Sequence, residues 1–269
     1  MDPTRNPSPT PPTPILLRED REHVATLTLN RPAARNALSL GLMTELEAAL
    51  SDIRSDANIK AVILAAAGPV FCAGHDLKEI RANPGRQNYE ALFAQCSRLM
   101  TAIVRLPKPV IARVHGVATA AGCQLVASCD LAVAAVDARF ATPGVNIGLF
   151  CSTPMVALSR AVGRKAAMEM LLTGDLVDAA TAKALGLVNR VVPADELAAA
   201  TDALAAQIAS KSPYVLAIGK EAFYAQAEMS LDQAYAYASE TMTRNMLARD
   251  AEEGIDAFIE KRQPVWQGK

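Results

Sequence analysis

Gly122-Cys123-Gln124-Leu125-Val126-Ala127-Ser128-Cys129-Asp130, taken together with the upstream Phe71-Cys72-Ala73-Gly74-His75-Asp76-Leu77, decides how this chain folds. In each stretch small residues run into a helix start. A turn of that kind leaves backbone N–H groups unpaired and pointing outward, beside the positive end of a helix dipole. Two such N–H groups converging from separate turns make an oxyanion hole, which suits the developing enolate oxygen of a thioester.

Working outward, Ile15–Leu17 and Val24–Leu29 alternate apolar and polar residues and read as paired strands, with Asn30-Arg31-Pro32 ending the second. Leu38–Ile53 has helical spacing with Ser39 as its cap. The runs Ala61–Ala65, Val110–Val114 and Leu131–Ala135 are continuously apolar, as expected of strands buried on both faces. Tyr89–Arg105 and Gly122–Cys129 read as helices between them. Beyond residue 154 helical patterns dominate, through Pro213–Glu228, Leu231–Ala248 and Ala251–Lys261, with Asp178, Ser212 and Ser230 as caps and Gly186 as a stop. The expected fold is α/β with a helical C-terminal lobe. No internal repeat at a constant period is visible.

The chain has 269 residues, 51% apolar and 4% aromatic, with a formal net charge of −1. That supports one large core and gives no overall pull toward nucleic acid or a membrane surface. The apolar runs are too short to span a bilayer. Met1–Pro14, rich in Pro, Ser and Thr, lacks a hydrophobic signal core and is expected to be disordered. Cys72, Cys96, Cys123, Cys129 and Cys151 are odd in number and scattered, so they read as reduced thiols of a cytoplasmic protein. Dinucleotide, phosphate-loop and zinc-protease motifs are absent from the sequence, and no metal or separate cofactor is expected.

Taken in order, Leu29-Asn30-Arg31-Pro32, Asn36-Ala37-Leu38, Ala73-Gly74-His75-Asp76-Leu77, Lys108-Pro109-Val110-Ile111-Ala112, His115-Gly116, Gly122-Cys123, Cys129-Asp130, Thr173-Gly174, Ala184-Leu185-Gly186-Leu187-Val188 and Phe258-Ile259-Glu260-Lys261-Arg262 resemble the crotonase superfamily, the enoyl-CoA hydratase/isomerases. The resemblance runs from about residue 15 to 266. It implies a spiral of ββα units over residues 15–200, a helical trimerisation region over 201–269, homotrimers that often pair as hexamers, and an acyl-CoA thioester as ligand, with coenzyme A entering as part of the substrate.

By the family's pattern the oxyanion donors are the backbone N–H groups of His75 and Ala121. The site is then lined by Ala73, Gly74, Asp76, Leu77 and Gly122, with Arg35 and Lys261 meeting phosphates of coenzyme A. Arg31, Lys78 and Arg262 are further basic candidates. Where the family's hydratases carry two glutamates, this chain has Gln124 and Gly144. Neither can take or deliver a proton at neutral pH. Each acid–base group typically contributes about 10²–10⁴ in rate, so at most trace hydratase activity is expected.

His75 is also a candidate for proton transfer, Asp76 reads as a helix cap, and Asn146 can orient a water or shape a turn. Cys123 and Cys151 are nucleophiles in principle but read as inert, while His115 and His23 read as structural and exposed. Three readings follow: an enzyme acting on a CoA thioester through an enolate without standard hydration, a non-catalytic acyl-CoA binder, or a weak hydratase.

Overall fold

The molecule is described over residues 13–269 by a computed structural model; all but the last two residues of the Met1–Pro14 segment lie outside that range. The six-residue strands β1 (Leu16–Arg21) and β2 (Val24–Leu29) pair antiparallel, with Leu16 opposite Leu29. β2 then runs parallel to β3 (Ala61–Ala66), β3 to β4 (Val110–Val114), β4 to β6 (Leu131–Ala135), and β6 to β9 (Arg190–Val192). A second sheet holds β5 (Val117–Thr119), β7 (Arg139–Ala141) and β8 (Val177–Asp178).

The chain alternates between these sheets in a repeated path. β4 in the large sheet leads to β5 in the small one and then to α4 (Ala121–Ser128). Likewise β6 leads to β7 and on to α5 (Pro154–Ala161). An earlier turn of the same spiral goes from β3 through Cys72, bridged to Ala118 of β5, to α2 (Leu77–Ala82) and α3 (Arg86–Val104). The repeat is one of topology, because the residues filling each turn differ, which is why no sequence period betrays it.

The apolar strands are buried on both faces. Val62, Leu64, Ala112 and Ala134 face the main core. Ile63, Ala65, Ile111, Val133 and Ala135 face α8 (Leu197–Ala209), which covers them with Leu197, Leu204 and Ala205. Residues two apart share a face in a strand, so a continuous apolar run is what two covers require. Ser39 caps α1 (Leu40–Ser55) by accepting from the Leu42 N–H. α6 (Arg164–Thr173) precedes α7 (Ala179–Leu185), which Asp178 caps and left-handed Gly186 ends. Ser212 caps α9 (Pro213–Gln226), and a Ser230–Gln233 capping box opens α10 (Leu231–Met246). α9 is tied to the core by Lys220 Nζ, 2.6 Å from Asp130 Oδ2, and by the Tyr224 hydroxyl, which donates to Asp130 Oδ1 at 2.9 Å. α10 buries no side chain, and it and α11 (Arg249–Glu260) expose Tyr235, Met242, Phe258 and Ile259.

The tightest contact in the spiral joins backbone to backbone. Cys72 donates its N–H to Val117 O at 3.1 Å and accepts from Thr119 N at 2.9 Å. α4 then starts so close beneath that a Cβ on Gly122 would lie 2.1 Å from Cys72 O. Only glycine fits. Gly122→Ala is expected to cost at least about 2 kcal/mol, since backbone on both sides must move. Urea denaturation measures this, and an unchanged stability would mean the seam is looser than described.

Candidate functional site

The Cys72–Asp76 turn is held in place by the segment Arg31–Leu38. Ala73 donates to Arg35 O at 3.1 Å, Leu38 donates to Gly74 O at 2.8 Å, and Asp76 donates to Leu38 O at 3.1 Å. Fully buried Asn36 braces this segment: its Oδ1 accepts from Arg31 N at 2.8 Å, and its Nδ2 donates to Ala67 O and Val70 O. Arg31 Nη2 reaches Asp76 Oδ2 at 2.9 Å. The quoted Asn-Ala-Leu motif is therefore scaffolding for the turn, and Asn36 is a residue to which the sequence alone assigned no role.

This pairing fixes where the His75 N–H points. Leu38 and His75 form a parallel bridge in which Leu38 bonds Gly74 and Asp76, so the His75 N–H is directed away from Leu38. It finds no acceptor among the described residues, and neither does the N–H of Ala121, the first residue of α4. Gly74 brings the two together: at φ +95° its position would set a Cβ 2.9 Å from Ala120 Cβ and 3.3 Å from Ala121 N. Ala120 itself is held at φ 51° and ψ −119°, a region that costs a non-glycine residue about 1–3 kcal/mol. That strained residue immediately precedes α4 and lies against the Gly74 turn.

Gln124 lies one turn along α4, nearly buried, with Cys96 Sγ donating to its Oε1 at 3.8 Å. Gly144 is buried in the Pro143–Ile147 turn. A Cβ there would meet Leu149 O at 2.6 Å and Cys151 Sγ at 2.9 Å. The position is thus closed over by the Leu149 carbonyl and the Cys151 sulfur, and a glutamate cannot enter unless that loop moves.

His75 stacks edge-on against Phe93 of α3, ring centroids 5.6 Å apart, and its Nε2 is buried without a hydrogen-bond partner. Burial pushes its imidazole down to about 4, so the ring is neutral at pH 7. Asp76 caps α2, accepting from Lys78 N and Glu79 N, and the hydrogen bond and charge of Arg31 help hold its carboxyl below the usual range against the cost of desolvation. Burial pushes the Cys72, Cys96 and Cys123 thiols up to about 12, and raises Cys151 as well. None is poised as a nucleophile. His115 bonds Gly68 O, and exposed His23 bonds Asn58 O. Asn146 contacts the space at Gly174, which places it in a turn.

Among the basic candidates, Arg31 is committed to Asp76, and Arg262 to Glu253 and Glu260. Arg35, Lys78 and Lys261 have no carboxylate partner among the described residues. Arg35 and Lys78 flank the Gly74 turn, Arg35 through its carbonyl bond to Ala73. Lys261 ends α11 in the left-handed conformation, and α11 packs on α10.

The family profile described as Enoyl-CoA hydratase/isomerase matches residues 19–269. The Xenopus laevis protein named enoyl-CoA hydratase domain-containing protein 3, mitochondrial, is 48% identical over 94% of this chain and 86% of its own length. A crystal structure of an enoyl-CoA hydratase from Mycobacterium smegmatis superposes with a TM-score of 0.92 at 57% identity, covering 94% of this chain and 99% of that one. The human enoyl coenzyme A hydratase domain-containing protein 3 gives 0.91 at 47%, covering 94% and 100%. The vertebrate relatives carry "mitochondrial" in their names, which overturns the cytoplasmic localisation expected above. Buried thiols explain the misreading: five free, buried cysteines do not by themselves distinguish one compartment from another.

Neutral His75 gives a pH signature. Its folded value lies below the roughly 6.5 of an unfolded chain. Stability is therefore complete above about pH 6.5 and is lost as pH falls toward 4, by about 1.4 kcal/mol per unit. Between pH 7 and 5, wild type is expected to lose about 2 kcal/mol more than His75→Gln in urea denaturation. Parallel losses in the two proteins would place the imidazole in water.

Proposed function

The chain belongs to the enoyl-CoA hydratase/isomerase family, and we propose that it binds acyl-CoA thioesters and stabilises their enolate form through the His75 and Ala121 N–H groups without acting as a standard hydratase. The observation that carries this reading is the pair of unpaired backbone donors brought together by Gly74. A thioester oxygen seated between them gains two hydrogen bonds and the positive end of α4. Both strengthen as negative charge develops on that oxygen. Arg35 and Lys78 beside the turn suit the phosphates of coenzyme A. Hydration needs in addition a group to take a proton from water and one to deliver it to carbon. Gln124 has no proton to exchange, and Gly144 has no side chain.

A second reading, a non-catalytic acyl-CoA binder, is favoured by one observation: the ring of His75, whose own N–H is one of the donors, is neutral at pH 7. The two readings share the ligand and part on turnover alone.

Crotonyl-CoA hydration, followed by loss of enoyl absorbance, is expected to fall far below the roughly 1–10³ turnovers per second of enzymes generally. Gln124→Glu alone leaves it there, and Gly144→Glu does not rescue it, because the Leu149 carbonyl occupies the space. A wild-type rate in the ordinary range would overturn the assignment. Carbonyl recognition is tested by comparing butyryl-CoA with its thioether, S-butyl-CoA, in calorimetry. Loss of two hydrogen bonds is expected to weaken the thioether about 10- to 100-fold, and equal affinities would refute the oxyanion site.

The protein is further proposed to assemble as a homotrimer or hexamer through residues 201–269 and the exposed apolar side chains Leu149, Phe150, Leu172 and Leu176. An apolar surface of that extent is costly in a monomer. Trp266 does not belong to this surface, since its indole N–H donates to Ser210 O and its ring covers Gly254. Light scattering is expected to give three or six times the chain mass, and a concentration-independent monomer mass would refute it.

A further inference from the structure

α9 and α10 lie over a cavity and not over a packed core. The space, about 1270 Å³, is lined by α3, α4 and α5 of the core and by α9 and Arg244 of α10. Its walls mix apolar side chains with charged ones, among them Arg54, Arg105 and Glu221. α9 buries a single side chain, Ile218, and α10 buries none. The main packing partner of α9 is α10 itself. Apolar burial stabilises in proportion to the area removed from water, so it holds these two helices to the core only weakly.

What joins them to the core is polar. The Lys220 ammonium has three hydrogens and three acceptors: Asp130 Oδ2 at 2.6 Å, and Ile103 O and Lys108 O at 3.1 Å each. Its side chain is 7% exposed. Tyr224, one turn along the same face of α9, donates to Asp130 Oδ1 at 2.9 Å. Asp130 Oδ2 also accepts from the Val110 N–H at 2.7 Å. These two side chains thus complete a carbonyl at the end of α3, a carbonyl just before β4 and a carboxylate just after α4. The other link is the exposed pair Arg160–Glu228 at 3.0 Å, and exposed pairs contribute little. The joint between α8 and α9 is anchored separately, since Ser212 Oγ donates to Asp250 Oδ2 at 2.5 Å and the Trp266 indole to Ser210 O at 2.8 Å.

We infer that α9 and α10 form a hinged arm, pivoting at Ser210–Ser212 and latched shut over the cavity by Lys220 and Tyr224 on Asp130. A buried ion pair holds only when each charge keeps its partners, and a half-broken one is strongly unfavourable. The latch therefore has two states, closed on Asp130 or solvated in water, with little between. Asp130 lies two residues beyond the end of α4, and the same cavity reaches Gln124. Opening the arm brings water to that wall of α4, and closing it removes the water. This device does not depend on which ligand the site takes.

Cys129 reports the state of the latch, because it is a free, buried thiol that lines the cavity next to Asp130. Cys72, buried in the seam at the Gly74 turn, serves as the control for global unfolding. The full-length protein is alkylated with N-ethylmaleimide and the labelled cysteines are located by peptide mass spectrometry. In Lys220→Met, Cys129 is expected to react at least about tenfold faster than in wild type, with Cys72 unchanged. In Tyr224→Phe, which keeps the ion pair and loses one hydrogen bond, the gain is expected to be about two- to tenfold. A Cys129 as protected in the folded Lys220→Met protein as in wild type overturns the latch. Cys72 and Cys129 quickening together also overturns it, because that is unfolding of the core and not motion of the arm. Should Lys220→Met fail to fold, hydrogen exchange of Tyr224→Phe decides: faster exchange confined to α9 and α10, with α8 still protected, supports the arm, and unchanged or uniformly faster exchange overturns it.

Discussion

Between Cys72 and Gly122 two turns of the spiral meet with backbone against backbone. Cys72 exchanges hydrogen bonds with Val117 and Thr119, and no atom beyond hydrogen fits on Gly122 facing Cys72 O. Everything at the site depends on this approach. It sets the start of α4 against the Gly74 turn, where a Cβ on Gly74 would meet Ala120 Cβ and Ala121 N. The strain at Ala120 and the left-handed φ at Gly74 are local costs that the surrounding spiral offsets, as expected where geometry is held for binding.

Backbone donors and side-chain acids respond differently to substitution, and that asymmetry shapes the chemistry. An N–H group survives any residue except proline, so His75 and Ala121 keep theirs. An acid is lost with one side chain. At Gln124 the amide accepts from Cys96. At Gly144 the Leu149 carbonyl and the Cys151 sulfur close over the position. A longer side chain at Gly144 is blocked by the Leu149 carbonyl. The His75 ring, neutral at pH 7, stacks edge-on against Phe93 and leaves its buried Nε2 without a hydrogen-bond partner.

Much of this was legible in the residues. The apolar runs at Ala61–Ala65, Val110–Val114 and Leu131–Ala135 announced strands covered twice, and the caps Ser39, Asp76, Asp178, Ser212 and Ser230 fall where their side chains accept from helix N–H groups or join a capping box. The small sheet was not legible, because β5, β7 and β8 are two or three residues long and carry no period. The buttressing role of Asn36 was hidden because it depends on carbonyls at Ala67 and Val70, distant in sequence. Arg31, one of several basic residues in the sequence, is distinguished only by its pairing with Asp76.

The central claim is that two main-chain N–H groups grip a thioester carbonyl. Isotope-edited infrared difference spectroscopy of butyryl-CoA labelled with ¹³C at the carbonyl observes that bond directly. Bound to the protein, its stretch is expected to shift to lower frequency than in water, as two preorganised donors polarise the C=O bond. A band at the solution frequency in a ligand shown by calorimetry to be bound would contradict the account.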